Sequence, residues 1–232
     1  MPDQPIVLLS GLGADERLLV LQRLRFPSLI VPRWIEPIPN ETLRDYSKRM
    51  AATIEPQDNM ILGGVSMGGM VALEIAQILK LRGVVLIAAC YTPSEIASWV
   101  RTVAAVGRVT PAFFGDHIRK FAELGMSAMG VREPAHKAVV LEIAKDVSFK
   151  FARWAASAIL DWPGVAPLAL CPVCPVLRIH GSRDHMIRCP VALAPAGQTN
   201  VLIAGAGHVL NLTHAGEVNN AITAWLEVLN RS

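Results

Sequence analysis

The segment Gly64-Val65-Ser66-Met67-Gly68 sets a serine between glycines, and a serine hydroxyl becomes a useful nucleophile only when a base takes its proton and a further group orients that base. Both partners follow in the chain. Asp184 comes just past the turn Gly181-Ser182-Arg183, and His208 stands 24 residues later at the end of Gly205-Ala206-Gly207. Such a set carries out acyl chemistry: Ser66 attacks a carbonyl carbon, His208 accepts the proton and later returns it, and Asp184 holds the imidazole in the required tautomer. A lone Gly-x-Ser-x-Gly also occurs in tight turns whose serine merely caps a helix, so the flanking pattern decides. Here the motif directly follows the apolar run Met60-Ile61-Leu62-Gly63 and directly precedes the helical pattern Met70–Ala76, the strand–turn–helix context of a nucleophile elbow. The helix after Ser66 would also aim its N-terminal NH groups at the reacting centre.

These residues need a scaffold that brings distant loops to one edge. Short β-branched or leucine-rich runs alternate with longer stretches of 3.6-residue periodicity, the pattern of parallel strands joined by crossover helices. The fold class is α/β. Six strands are expected: Ile6–Leu9, Leu29–Val31, Met60–Val65, Gly83–Ala89, Val176–His180 and Val201–Ala204. Helices are expected to begin near Asp15 and Thr42, and a final one spans about Asn211–Leu229. Continuous apolar runs such as Val84–Ala89 suit strands covered on both faces.

The stretch Tyr91–Pro172 breaks this rhythm and reads as a helical insertion punctuated by glycines and prolines. It divides the chain into a core, residues 1–90 and 173–232, and a cap, residues 91–172. The insertion's Trp99, Phe113, Phe114, Met126, Met129, Phe149, Phe151 and Trp154 are expected to serve its internal packing rather than a substrate slot. An insertion after a strand's C-terminal end lies where open α/β sheets place their ligand sites.

In motif, order and context the chain resembles the α/β-hydrolases: Ser66 on its elbow, then Asp184, then His208, over nearly the whole length outside the insertion. The resemblance implies an α/β-hydrolase fold, a mostly parallel, about six-stranded sheet with helices on both faces and a helical cap. It also implies a carboxylesterase-like serine hydrolase working through an acyl-enzyme. The implied oxyanion hole uses the backbone NH of Met67, after the nucleophile, and that of Leu12, in the loop Ser10-Gly11-Leu12-Gly13 after the first strand. Many members carry His-Gly where this chain has Ser10-Gly11. The N-terminal antiparallel strands of larger members have no counterpart here, which implies a sheet that is parallel throughout. A carboxylic ester is the implied substrate. Thioesters, lactones, carbon–carbon bonds or acyl transfer to an acceptor other than water use the same machinery. Serine at position 66 sets the chain apart from haloalkane dehalogenases and epoxide hydrolases, which place a carboxylate there. A ligand-binding protein with little or no turnover on the same scaffold is the alternative from another class.

Other reactive residues read more plainly. His180 is expected as a buried structural histidine at a strand end, His185 as a residue that could brush the site, and His117, His136 and His214 as surface or insertion residues. Glu95 is the backup for Asp184. Cys171-Pro172-Val173-Cys174 lacks a second pair at zinc spacing, so no metal is expected. Gly11-Leu12-Gly13-Ala14-Asp15-Glu16 lacks the third glycine of a dinucleotide fingerprint and would aim two acids at a pyrophosphate, so no cofactor is expected either.

Composition agrees. The 232 residues are 52% hydrophobic, which excludes a disordered or fibrous chain. The net charge of +3 arises from interspersed signs, so no nucleic-acid partner is expected. No run approaches a membrane span, and with only four cysteines and no leader a reducing, cytoplasmic location is expected. The expected partner is a small-molecule acyl substrate, and the insertion's apolar residues would also support a homodimer.

Overall fold

Five short apolar segments, β1 (Ile6–Leu9), β2 (Ile61–Val65), β3 (Gly83–Ile87), β4 (Val176–Gly181) and β5 (Gln198–Ile203), pair in that order as one parallel sheet. The computed structural model describes residues 4–109, 125–166, 174–188 and 197–231; Phe113, Phe114, His117, Cys171 and Cys189 lie outside them. The register sets Leu9 beside Gly64, Val65 beside Ile87, Ile87 beside Ile179 and Gly181 beside Ile203. Because all strands run the same way, the loops that follow them leave from one edge.

The expected strand at Leu29–Val31 shrinks to one parallel bridge, Ile30 against Val7, with Leu8 N–H donating to the Ile30 carbonyl at 3.0 Å. Pro27 and Pro32 flank it, and a proline cannot donate to a ladder. This bridge still matters for topology. The chain pairs on one side of β1 through Ile30 and on the other side through β2, and a crevice opens above the strand ends at such a switch point. β3 stops at Ile87 because Ala88 turns to φ 47°. β5 begins three residues before its expected start, since its first residues are partly exposed and lack the apolar run that marks the other strands.

Helices α1 (Val20–Arg25), α2 (Leu43–Ala51), α3 (Met67–Ile75), α4 (Ser98–Val109), α5 (Pro134–Asp146), α6 (Phe149–Leu160), α7 (Leu210–Thr213) and α8 (Ala215–Leu229) complete the described elements, with short 3₁₀ helices at Glu16–Leu19 and Pro93–Glu95. Asp15 caps the first of these 3₁₀ helices, which precedes α1, and Thr42 caps α2 through Asp45 N–H. The single final helix expected from the sequence is broken at His214, whose backbone is non-helical and whose Nδ1 pairs with Thr213 Oγ1 at 2.9 Å.

Alternation along the strands divides the core into two layers. Val7, Leu9, Leu62, Val84 and Leu86 face α2, α3 and α6, whereas Ile6, Leu8, Ile61, Val85 and Ile87 face Leu18, Leu19, α7 and α8. The insertion joins both layers: Phe151, Ala155 and Ala158 enter the first, and Met126, Val131 and Ile143 the second. Its aromatic residues therefore do not pack only among themselves. Phe151 meets Tyr46 of α2 edge to face and Trp154 lies tilted against it, at ring separations of 6.3 and 4.3 Å.

Every residue of α3 is buried, including Glu74. Its carboxylate accepts from Trp162 Nε1 at 2.7 Å and from Arg44 Nε at 3.0 Å. Glu74→Ala is expected to cost on the order of 3 kcal/mol, because the buried indole N–H would lose its acceptor. Urea unfolding tests this, and a loss below about 0.5 kcal/mol would mean that the indole finds another partner.

Candidate active site

Ser66 stands where β2 gives way to α3, at φ 54° and ψ −118°. Holding a non-glycine residue there costs on the order of 1–3 kcal/mol and requires the surroundings to enforce it. Ser66 N–H donates to Ile87 O at 2.9 Å, and the Ser66 carbonyl accepts from Gly69 N–H at 3.0 Å. Gly64 and Gly68 permit the close approach. A Cβ on Gly64 would fall onto the Gly68 backbone, and one on Gly68 would overlap the Leu9 and Ser10 carbonyls. Gly68→Ala should therefore destabilise the protein by about 1–3 kcal/mol through overpacking. A lowered Tm is the expected reading, and an unchanged one would show that the two backbones separate freely.

The Ser66 hydroxyl does not cap α3. It lies 3.0 Å from His208 Nε2, and Nδ1 of that ring lies 2.8 Å from Asp184 Oδ2. An ionised carboxylate only accepts, so Nδ1 carries the ring proton and Nε2 is left to accept from the serine. Asp184 Oδ1 accepts from Met186 N–H at 2.8 Å and Ile187 N–H at 3.0 Å. Burial alone would push the Asp184 carboxyl up; the electrostatic attraction of the His208 ring, hydrogen bonds from His180 and His208, and the Ile187 N–H outweigh it and hold the group well below the usual carboxylate range.

The loops that carry these groups are stitched together. Arg183 N–H donates to Ala206 O at 2.8 Å, Ser182 N–H to Ile203 O at 2.9 Å, and Gly205 N–H to Ser182 Oγ at 2.8 Å. Met67 opens α3, so its N–H has no partner within the helix. Leu12 lies in the loop after β1, where Ala14 N–H donates to Gly11 O at 3.0 Å and Gly13 turns the chain at φ 64°. Packing of Gly68 on the Leu9 and Ser10 backbone brings that loop against the start of α3.

Two side chains fasten the loop, and of them only Ser10 stood out in the sequence. Buried Ser10, at the position where many α/β-hydrolases have histidine, donates its hydroxyl to the Ala14 carbonyl, and Trp34 Nε1 donates to Gly11 O at 3.1 Å. The insertion touches both sides of the site. Val147 packs on Gly13, Arg17 pairs with Asp146 at 2.6 Å, and Val209 N–H donates to Met129 O at 3.2 Å.

Other candidates fall elsewhere. Glu95 pairs with buried Arg178 and accepts from Tyr91 N–H at 2.9 Å, so it is already engaged. His185 offers its carbonyl to Trp99 Nε1 at 2.9 Å, and His136 faces Glu133 at 3.6 Å. His180 is buried against Asp184. A cleft of about 670 Å³ lies between residues 37–44 and helices α4 and α6, and none of Ser66, Asp184 and His208 borders it. Among the described residues no group of three metal-ligating side chains converges, and no helix is long and apolar enough to cross a membrane.

Comparison with solved structures gives close likenesses of shape. A thermophilic esterase from Thermogutta terrifontis superposes at TM-score 0.70 with 21% identity, over 97% of this chain and 90% of that one. A structure from work on carboxylesterases of the thaumarchaeon Nitrososphaera gargenis reaches 0.79 with 16% identity, over 99% and 92%. An esterase from Exiguobacterium antarcticum reaches 0.72 with 17% identity, over 97% and 92%. At these identities the likeness speaks for the fold. Comparison with curated proteins gives no match. The model of the alpha/beta hydrolase family matches residues 6–221. That match takes in all five strands and the Ser66, Asp184 and His208 loops, and by it the chain belongs to the alpha/beta hydrolase family.

Proposed function

We propose that the protein is a serine hydrolase that cleaves a carboxylic ester through an acyl-enzyme. Ser66 attacks the acyl carbon, His208 takes the hydroxyl proton and gives it to the departing alcohol, and Asp184 holds the imidazole. Water then repeats the sequence on the acyl-enzyme. The observation that supports this reading is the continuous line Ser66 Oγ, His208 Nε2, His208 Nδ1, Asp184 Oδ2, at 3.0 and 2.8 Å, on a strained elbow whose serine does not cap its helix. The NH groups of Leu12 and Met67 act as the oxyanion hole, and each such donor is worth about 3 kcal/mol of barrier. No cofactor takes part.

Residues 91–172 act as a cap over the core formed by 1–90 and 173–232, and their contacts at Gly13 and Val209 support that division. The substrate is a small-molecule ester with a small to medium apolar acyl group, met in the cytoplasm. A homodimer through the exposed Trp99 and Val103 of α4 belongs to the same reading.

The test is fluorophosphonate labelling of wild type beside Ser66→Ala, followed by hydrolysis of short and medium p-nitrophenyl esters. Labelling that vanishes in the variant, together with multiple turnovers, is the expected result. A well-folded wild type that neither labels nor turns over would replace the hydrolase with a ligand-binding protein.

A further inference from the structure

His180 ends the apolar run of β4, four residues before Asp184, and is completely buried. Its Nε2 lies 3.0 Å from the Ile187 carbonyl oxygen and 3.2 Å from Asp184 Oδ2. Both neighbours are acceptors, so Nε2 carries a hydrogen. Nδ1 is buried without a hydrogen-bond partner. A proton there would be a buried donor with nothing to receive it, whereas an idle lone pair costs less. The ring is therefore the neutral Nε2–H tautomer.

This completes an unusually full set of bonds around one carboxylate. Oδ2 receives His208 Nδ1–H and has His180 Nε2 at 3.2 Å, while Oδ1 receives the NH groups of Met186 and Ile187. The His180 hydrogen goes to the carbonyl of Ile187, whose own N–H serves Oδ1, so the ring fastens the turn that cradles the carboxylate and sets its N–H edge beside Oδ2.

We propose that His180 is a positioning residue for Asp184, fixing the carboxylate's rotation and sharing the negative charge of Oδ2 with His208. The inference rests on the triad reading above. The groups that bear on Asp184 are His180 from β4 and His208 from the loop after β5, with Cys90 from the segment after β3 within electrostatic range and kept neutral by burial.

His180→Gln and His180→Met place side chains of equal length at this position, and only glutamine offers an N–H. The measurement is the pH profile of p-nitrophenyl acetate hydrolysis, with active sites counted by fluorophosphonate titration and stability by thermal unfolding. His180→Met is expected to lower kcat per active site about tenfold, the scale on which second-layer partners of a reactive group act, with KM little changed. Its acidic limb should move to higher pH, because a carboxylate deprived of a donor holds more charge against His208. His180→Gln is expected to restore both. Equal behaviour of the two variants, or wild-type kcat in the methionine variant, overturns the proposal, since a packing role would lower Tm and leave kcat per site alone.

Ring nitrogen NMR on the wild type decides the matter if the methionine variant does not fold. His180 protonated on Nε2 at neutral pH, with an Nε2–H resonance that shifts in Asp184→Asn, supports the proposal, and a proton on Nδ1 or a resonance unmoved by Asp184→Asn overturns it. A wild type without ester turnover would defeat the triad reading, while the ring assignment still judges the tie between His180 and Asp184.

Discussion

Ser66→Ala is expected to lower ester turnover on the order of 10⁶-fold, the loss seen when a nucleophilic serine is removed from a complete set of partners. Fluorophosphonate labelling should vanish with it. The fold should be untouched, because the elbow is enforced by Ser66 N–H on Ile87 O and by the Gly64 and Gly68 contacts, all of them backbone features that alanine keeps. Only Oγ disappears, and with it one hydrogen bond to His208. A Tm within about 2 °C of wild type is the expected control. Labelling that persists in the variant would place the reactive hydroxyl elsewhere.

Asp184→Asn is expected to reduce kcat about 10⁴-fold while preserving the fold. The asparagine amide would present N–H to His208 Nδ1 where the carboxylate now accepts from it at 2.8 Å. The imidazole would answer by moving its proton to Nε2, which can then no longer accept from Ser66. Glu95 cannot step in, being paired with Arg178. A rate within tenfold of wild type would therefore disprove the assigned role of Asp184.

The same substitution has a pH signature. Asp184 is held below its ordinary range, so its ionised form stabilises the fold at pH values above about 4, where an unfolded aspartate is also ionised. That contribution fades as acid approaches the lower folded value. The unfolding free energy of the wild type should fall as the pH drops below about 4, and that of the asparagine variant should fall less. Parallel curves for the two would show that the carboxylate's bonds do not differ between folded and unfolded chains.

The features that the sequence displayed were those carried by local pattern. Fully buried strands such as Gly83–Ile87 announce themselves by continuous apolar runs, and the elbow by two glycines on which even a Cβ would press against neighbouring backbone. What stayed hidden depends on contacts between distant segments. Trp34 reaches Gly11 across 23 residues, Ser10 looks like an ordinary loop serine until its hydroxyl meets Ala14 O, and Phe151 gives no hint that it packs beneath Tyr46. The sixth expected strand, Leu29–Val31, keeps its place beside β1 but only as one bridge, because its flanking prolines leave room for no longer ladder. The partly exposed start of β5 went unread for the converse reason, since an edge strand need not be apolar.

The hydrogen bond between Ser66 and His208 spans 142 residues of chain. The elbow strand can pair with β1 and β3 before the C-terminal segment arrives, but His208 reaches it only after β4 and β5 have joined the sheet. Contacts of such long sequence separation form late and slowly in parallel folds. During refolding the serine should thus gain reactivity only in the last phase, well after helical circular dichroism has recovered. On a ribosome, emergence of the final quarter of the chain would set the moment at which Ser66 meets His208.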